Sequence, residues 1–326
     1  MLRPTVVSLL AIAALVGLPA GAVAAAPAPR APTSATDRIS LQLVGSWSVQ
    51  RKPLGVTGRA LRVVGRIAPY VPGQPIQLRI WRGHTLIKQA TVQPKPTSTK
   101  RTATFSLRFV PGRSGVTQIF AVHARTDQQG AAVGRAALSV VAPNAGPGAR
   151  GLFVRLLQQR LAAVGYATPQ SGAYDLLTGL AVLAFRKVNG MPRVTTLSPT
   201  VVDRLLRGVG GFRIRYPRQG RHVEANLNWQ VLALIDKGRV VRAYTTSSGK
   251  PSTPTVLGTF RFYMREPGTN SHGMVDSTYF IRGYAIHGYF DVPAYAASHG
   301  CLRVPIPDAF AIYSWLHLGD PIDVYY

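Results

Sequence analysis

The chain has 326 residues, with 38 Lys or Arg against 12 Asp or Glu, a formal charge of +26 and one cysteine. A single cysteine excludes an internal disulfide, the length admits two or three domains, and no segment beyond the N-terminus is apolar enough to span a bilayer. The charge is uneven: residues 36–142 hold 16 basic side chains against Asp37 and Asp127, whereas residues 212–326 hold 12 against 8 acids.

At the N-terminus Arg3 precedes an apolar stretch from Val6 to Val16, interrupted by Pro19 and Gly21 and closed by Ala22, Val23, Ala24, Ala25 and Ala26. This pattern predicts a secretory signal peptide over 1–26, cut near Ala24 or Ala26. A retained membrane anchor would need about 20 uninterrupted apolar residues, and a lipoprotein would need a cysteine at the cut. The expected location is therefore outside the cytoplasm, in the periplasm or cell wall. In an exported chain a lone cysteine is either an intermolecular cross-link or a reactive thiol.

A Pro- and Ala-rich linker (27–36) leads into alternating segments at Ile39 to Trp47, Ala60 to Ile67, Gln74 to Trp81, Ala103 to Phe109, Val116 to Ala124 and Ala136 to Val141. Their spacing, and turn signals such as Pro72-Gly73 and Pro111-Gly112, predict a basic immunoglobulin-like β-sandwich over 37–142. Its charge points to anionic wall polymers as partners. Nucleic acid is disfavoured by export and by the lack of a basic helix. His84 and His123 read as surface or strand residues rather than ligands.

After a small-residue linker (143–149) the apolar period changes to that of a helix. Leu152, Leu156, Leu157, Leu161 and Val164 form one face, ended by Gly165. A second helix is expected over Leu177 to Val188, with Ala181, Val182 and Phe185 inward. A third starts at Ser198 as N-cap, with Pro199 in the first helical position. Residues 150–207 are too few for an obvious enzyme and suit a small three-helix binding module. Gly208, Gly210 and Gly211 mark a further joint.

From Phe212 the chain is again strand-like: Arg213 to Tyr216, Glu224 to Asp236, Val240 to Ser247, Gly258 to Met264 and Phe280 to Ile286. Lys237-Gly238 is a turn, a short helix follows Pro307, and Pro321 to Tyr325 is a final strand. A mostly β catalytic domain over 212–326 is expected.

The chemistry concentrates at Ser298, His299, Gly300, Cys301, Leu302 and Arg303, with His287 upstream. A thiol attacks as thiolate, and an ordinary cysteine with a pKa of about 8.5 needs a base or a positive charge to do so near neutrality. Either His287 or His299 can supply the base; His287, arriving from another segment, is the better placed. Gly300 lets the backbone approach a substrate closely. The Gly300 and Cys301 amides, joined by His299, could hold an oxyanion. Tyr289 and Asp291 fall between the two histidines and read as architectural. A zinc peptidase would draw on His287, Asp291, His299 and His317, but that spacing is no recognised ligand set and leaves Cys301 without a role. No cofactor or metal is expected.

Two resemblances attach to these residues. Leu157, Gln158, Leu161, Gly165, Tyr166, Gly172, Asp175, Thr178, Ala181, Val182 and Phe185 are similar to the core pattern of the three-helix peptidoglycan-binding domain, with Arg186 where that family often has Gln. His287 followed by Ser298, His299, Gly300, Cys301 and Arg303 resembles the L,D-transpeptidase (YkuD-like) catalytic domain. Ser248, Gly249, Lys250, Thr253, Pro254, Thr255, Leu257, Gly258, Thr259 and Phe260 look like its upstream loop, and Asp308 like its downstream Asp. The second resemblance implies that Cys301 attacks the third residue of a peptidoglycan tetrapeptide stem, expels D-alanine and passes the acyl group to a neighbouring stem, giving a 3→3 cross-link. His287 would carry the proton, while His299, Ser298 and Gly300 orient the site and its oxyanion hole. Arg303 would bind a substrate carboxylate or brace the loop, with Tyr289 beside it. With water as acceptor the same site would be an L,D-carboxypeptidase.

Overall fold

The computed structural model describes residues 37–326. The expected signal peptide and first linker lie outside the described residues.

The N-terminal region is β-rich. Its strands are β1 (Arg38–Val44), β2 (Trp47–Val49), β3 (Lys52–Val56), β4 (Leu61–Ala68), β5 (Ile76–Arg82), β6 (Thr85–Val92), β7 (Lys95–Pro96), β8 (Ala103–Phe109), β9 (Gly115–His123) and β10 (Ala132–Val141). One sheet runs β1-β4-β8-β7 and the other β2-β3-β10-β9-β5-β6. The two-residue period buries Leu61, Val63 and Ile67 of β4 against Leu78, Ile80 and Ile119 of the opposite sheet. The same period sends Arg62 and Arg66 outward. β2, β3, β6 and β7 escaped the sequence reading. β6 is mostly exposed and carries little apolar alternation, and β2, β3 and β7 are very short.

Three helices follow: α1 (Leu152–Ala163), α2 (Leu176–Val188) and α3 (Pro199–Arg207). Asp175 Oδ1 accepts from Thr178 N at 2.8 Å and Ser198 Oγ from Val201 N at 3.3 Å, each capping a helix. Gly208 ends α3 with φ 74°, the left-handed cap that favours glycine. Buried Gln158 on α1 donates to Ala173 O and Thr178 Oγ1, both at 2.9 Å, and accepts from Gly172 N at 2.8 Å, pinning the α1–α2 connection.

The helices do not close a core of their own. Leu157, Leu161, Val182 and Phe185 form one cluster with Val231, Ala233, Ile235 and Ala243 of the following sheet. On the other side Phe153, Leu156 and Val202 pack with Val49, Leu54 and Val56 of β2 and β3. Arg59 adds an ion pair to Asp203 at 2.7 Å.

The C-terminal, mostly β region holds β11 (His222–Asn226), β12 (Val231–Asp236), β13 (Arg239–Thr245), β14 (Gly258–Arg261), β15 (Met264–Thr269), β16 (Val275–Ile281), β17 (Tyr284–Tyr289), β18 (Leu302–Pro305), α4 (Ile306–Trp315) and β19 (Pro321–Tyr325). Its sheets run β13-β12-β11-β19-β14 and β15-β16-β17-β18. β12 is buried on both faces. Val231, Ala233 and Ile235 meet the helices, while Leu232 and Leu234 join Ile286, Leu302, Val304 and Ile312 in the core between the sheets and α4.

Several expected strands are corrected. Residues 213–216 are not a strand, because the Arg215 and Tyr216 amides donate to the Glu224 carboxylate at 2.7–2.9 Å instead of to a neighbouring strand. The segment Glu224 to Asp236 breaks into a hairpin where Asn226 Oδ1 accepts from Trp229 N at 2.8 Å and Gln230 takes φ 55°. Phe280 to Ile286 likewise splits at Arg282, φ 48°, into β16 and β17. Phe262 separates β14 from β15, giving its amide to Asp320 O at 3.1 Å. Among the described residues no helix is long and apolar enough to cross a membrane.

Candidate active site

The site is built on the parallel pair β17–β18, whose register sets Ile286 opposite Leu302, His287 opposite Arg303 and Tyr289 opposite Pro305. Alternation turns Ile286, Leu302 and Val304 into the core. His287, Tyr289 and Arg303 therefore share the other face, and Cys301, two residues before Arg303, lies with them.

The Ser298–Cys301 segment is a tight turn. Ser298 Oγ donates to Cys301 O at 2.6 Å and accepts from Gly300 N at 3.0 Å. Gly300 has φ 122°, and a Cβ there would overlap the Tyr284 ring, so glycine is required on both counts. That contact is with the protein's own ring, not with open substrate space.

A second segment clamps this turn from outside. Ser248 O accepts from the Ala297 and Ser298 amides at 2.8 and 2.9 Å, and Ser298 O accepts from Lys250 N at 2.9 Å and from Thr253 Oγ1 at 3.1 Å. Thr255 Oγ1 donates to Gly300 O at 2.7 Å and accepts from Gly249 N at 2.9 Å. Ser247 and Arg303 exchange both backbone hydrogen bonds at 3.0 Å. The upstream residues singled out in the sequence thus hold the thiol turn through main-chain and hydroxyl groups.

His287 is 3% exposed. Its Nδ1 donates to Gly288 O at 2.9 Å, which leaves Nε2 as the proton-accepting nitrogen. The ring stands edge-on to Tyr289, centroids 5.6 Å apart. Burial holds the imidazole below its ordinary pKa and the Arg303 charge pushes the same way, partly opposed by the bond to Gly288. Burial also raises the Cys301 thiol, against smaller opposing effects of the Ala285 amide and Arg303. The resting pair is therefore a neutral thiol and a neutral imidazole. The thiol donates to Gly283 O, 3.6 Å away on the β16–β17 turn.

Arg303 sits over the Tyr289 ring, 4.2 Å from its centroid, with Nη1 3.4 Å from Asp291 O and 3.6 Å from Asp291 Oδ2. His299 is exposed, its Nε2 3.4 Å from Lys250 Nζ. The Gly300 amide, offered above to an oxyanion, is instead donated to Ser298 Oγ.

His287, Tyr289, Ser298, His299, Cys301 and Arg303 line one cleft of about 270 Å³. Its remaining wall, His272 and Met274 from the β15–β16 connection, had no signal in the sequence, because neither residue belongs to a motif or a regular element. His317 lies beyond α4, its amide bonded to Asp320 Oδ2 at 2.9 Å. Among the described residues no group of three or more His, Cys, Asp or Glu comes together as a metal site. The cleft thus holds a thiol, a buried neutral base and a fixed cation on one sheet face, a set suited to acyl transfer.

Residues 220–324 match the family model of the L,D-transpeptidase catalytic domain, YkuD. The crystal structure of an L,D-transpeptidase from Xylanimonas cellulosilytica is similar at 33% identity and TM-score 0.51, over 56% of this chain and 97% of that one. An L,D-transpeptidase structure from Stackebrandtia nassauensis aligns at 20% identity and TM-score 0.36, over 56% and 95% of the two chains. No curated protein matches the chain.

Proposed function

The chain belongs to the L,D-transpeptidase family, and from that premise we propose that Cys301 is the nucleophile of a peptidoglycan cross-linking reaction with His287 as its base. The carrying observation is the register of β17–β18, which sets the imidazole, the thiol and the Arg303 charge on one face of one cleft. Sγ attacks the carbonyl of the third residue of a tetrapeptide stem. A C–S bond forms, the thiol proton passes to His287 Nε2, and the tetrahedral oxyanion is held by the Cys301 and His299 amides. Collapse breaks the amide bond, and His287 returns the proton to the departing D-alanine amine. The side-chain amine of a second stem then attacks the thioester, loses its proton to His287 and leaves a 3→3 cross-link with the thiol restored. Ser298 and Gly300 shape the turn, and His299 lies at the mouth of the cleft. Arg303 braces the wall with Tyr289 and Asp291 and presents its charge to the cleft. The chemistry needs no cofactor.

The rest of the chain fits a wall-bound enzyme. Residues 1–26 would direct export. The helical region 150–207 is the peptidoglycan-binding unit, and the 37–142 region is the immunoglobulin-like sandwich that meets anionic wall polymers. Support for the last point comes from β4 and β8, where Arg62 stands opposite Arg108, a like-charge pair that is unfavourable without a counter-anion. A groove of about 470 Å³ beside it is lined by Arg62, Lys95, Gln93, Thr104 and Ser106 together with the apolar Val64, Val92 and Phe105.

Incubation of the purified chain with disaccharide-tetrapeptides, read by mass spectrometry, tests the reaction. A dimer joined between third residues, with release of D-alanine, is expected. Accumulation of tripeptide monomer alone would replace transpeptidation by hydrolysis, and unchanged substrate would overturn both.

A further inference from the structure

The helical region reaches the thiol turn through one buried side chain. Lys187, in the last turn of α2, is 2% exposed, and its Nζ donates to Gln230 O at 3.1 Å, Thr245 Oγ1 at 2.5 Å and Thr246 O at 3.1 Å. These three acceptors match the three N–H bonds of an ammonium. Burial, and less strongly the nearby Arg193 charge, push the amine down to about 7.

The acceptors lead directly to the active site. Gln230 Oε1 accepts from Ser248 N at 2.8 Å, its Nε2 donates to Ser248 Oγ at 2.6 Å, and its carbonyl accepts from Thr246 N at 2.9 Å. Thr246 Oγ1 donates to Arg303 O at 2.7 Å. Ser248 O takes the Ala297 and Ser298 amides, and Ser298 closes the turn on Cys301. Every relay member is buried: Gln230 3%, Thr245 2%, Thr246 0%, Ser248 2% and Ser298 1% exposed. Such a network is stiff, because each unpaired group would be costly. A second cation of the same region, Arg193, holds Ala294 O, on the loop that precedes Ser298, and Asn228 O, in the β11–β12 turn, at 2.7 Å each.

We propose that Lys187 is a positioning residue for the Cys301 turn, acting through Gln230, Thr246 and Ser248, so that the helical region is part of the working active site as well as a wall-binding unit. The inference rests on the reading of Cys301 as the nucleophile. Lys187→Met keeps the length of the side chain and removes the donor to Thr245 Oγ1, Thr246 O and Gln230 O, leaving Gln230 O with only its bond from Thr246 N, which lets the turn drift at the start of the relay. A small misplacement of a reacting group lowers the chemical step more than it lowers binding.

The test is acylation of the full chain by a carbapenem, followed by intact mass over a concentration series that separates the acylation rate constant from the apparent Kd. Lys187→Met is compared with wild type and with Val182→Ala, which opens a cavity in α2 without touching the relay. All three are assayed at a temperature where circular dichroism shows them folded. The expected result is a rate constant lower by roughly tenfold or more for Lys187→Met, with the apparent Kd within about twofold, and a wild-type rate constant for Val182→Ala. A Lys187→Met chain that reacts like wild type, or a Val182→Ala chain that loses as much, overturns the inference while leaving the thiol reading intact. A wild-type chain that takes no acyl group overturns the thiol reading itself. If Lys187→Met does not fold, Thr246→Val cuts the relay at Arg303 and must lower the rate constant several-fold; a wild-type value overturns the inference.

Discussion

Across the parallel pair β17–β18, His287 stands directly opposite Arg303. The guanidinium is in turn fixed by Tyr289 and Asp291, both from the chain that follows His287. One cation thus acts on both partners of the proposed reaction, lowering the pKa of His287 and, against the stronger effect of burial, that of Cys301. A base kept neutral at neutral pH and a thiol kept protonated until substrate arrives suit general-base attack better than a standing thiolate–imidazolium pair.

The pH dependence follows from those directions. His287 titrates below its ordinary 6.5, so carbapenem acylation rises with pH through a midpoint under 6.5 and is level from pH 7 to 8. Alkylation by iodoacetamide, which follows the thiolate, keeps rising above pH 9 because the thiol is raised. Stability has the matching sign. The unfolded chain binds a proton at His287 more readily than the fold does, so this residue's contribution is complete above pH 6.5 and is lost as pH falls toward the folded value. His287→Asn should remove both the kinetic midpoint and that part of the acid destabilisation, read by stopped-flow acylation and by urea midpoints across pH 5–8.

Ser298→Ala removes one oxygen that serves two backbone groups, the Gly300 amide and the Cys301 carbonyl. Leaving such buried groups unpaired costs about 1–3 kcal/mol. Denaturant unfolding should show that loss, with acylation reduced far more than the loss of folded protein explains, because the turn carrying the thiol is what relaxes.

Gly300→Ala faces two penalties, a φ of 122° and overlap of the new methyl with the Tyr284 ring. Backbone strain of this kind alone costs about 1–3 kcal/mol. Tyr284→Ala should relieve the overlap but not the strain, so Gly300→Ala lowers the melting temperature less in the Tyr284→Ala background than in the wild type, but still lowers it.

A fragment of residues 212–326 should not fold well by itself. It would expose Val231, Ala233, Ile235 and Ala243, which are buried against the helices, on the outer face of β12 and β13. A fragment beginning at residue 143 keeps that cover and bares only the smaller face of Phe153, Leu156 and Val202 that packs on β2 and β3. Size-exclusion chromatography and circular dichroism of the two fragments check this: aggregation or low ellipticity is expected for the shorter one only.

Much of this was legible in the sequence because it lies in local pattern. Alternation marked β4, β5, β8, β9 and β10, Gly165 the end of the first helix, and Ser198 and Pro199 the start of the third. Ser298 to Arg303 and His287 could be named because a lone cysteine stands among histidines in a short run. Strand breaks at Gln230 and Arg282 were missed, since a positive φ at a non-glycine residue is imposed by its surroundings. The burial of Lys187 and the approach of His272 and Met274 to the cleft were missed for a different reason: both depend on which elements pack together, and no local signal records that.

Cys301 is the residue proposed to form the acyl-enzyme. Intact mass of the full chain after exposure to a carbapenem tests it most directly, with Cys301→Ala beside the wild type. The wild type should gain the mass of one inhibitor molecule, on the peptide containing Cys301, and Cys301→Ala should gain none. An adduct that persists on Cys301→Ala, or a wild type that gains no mass, would contradict the assignment.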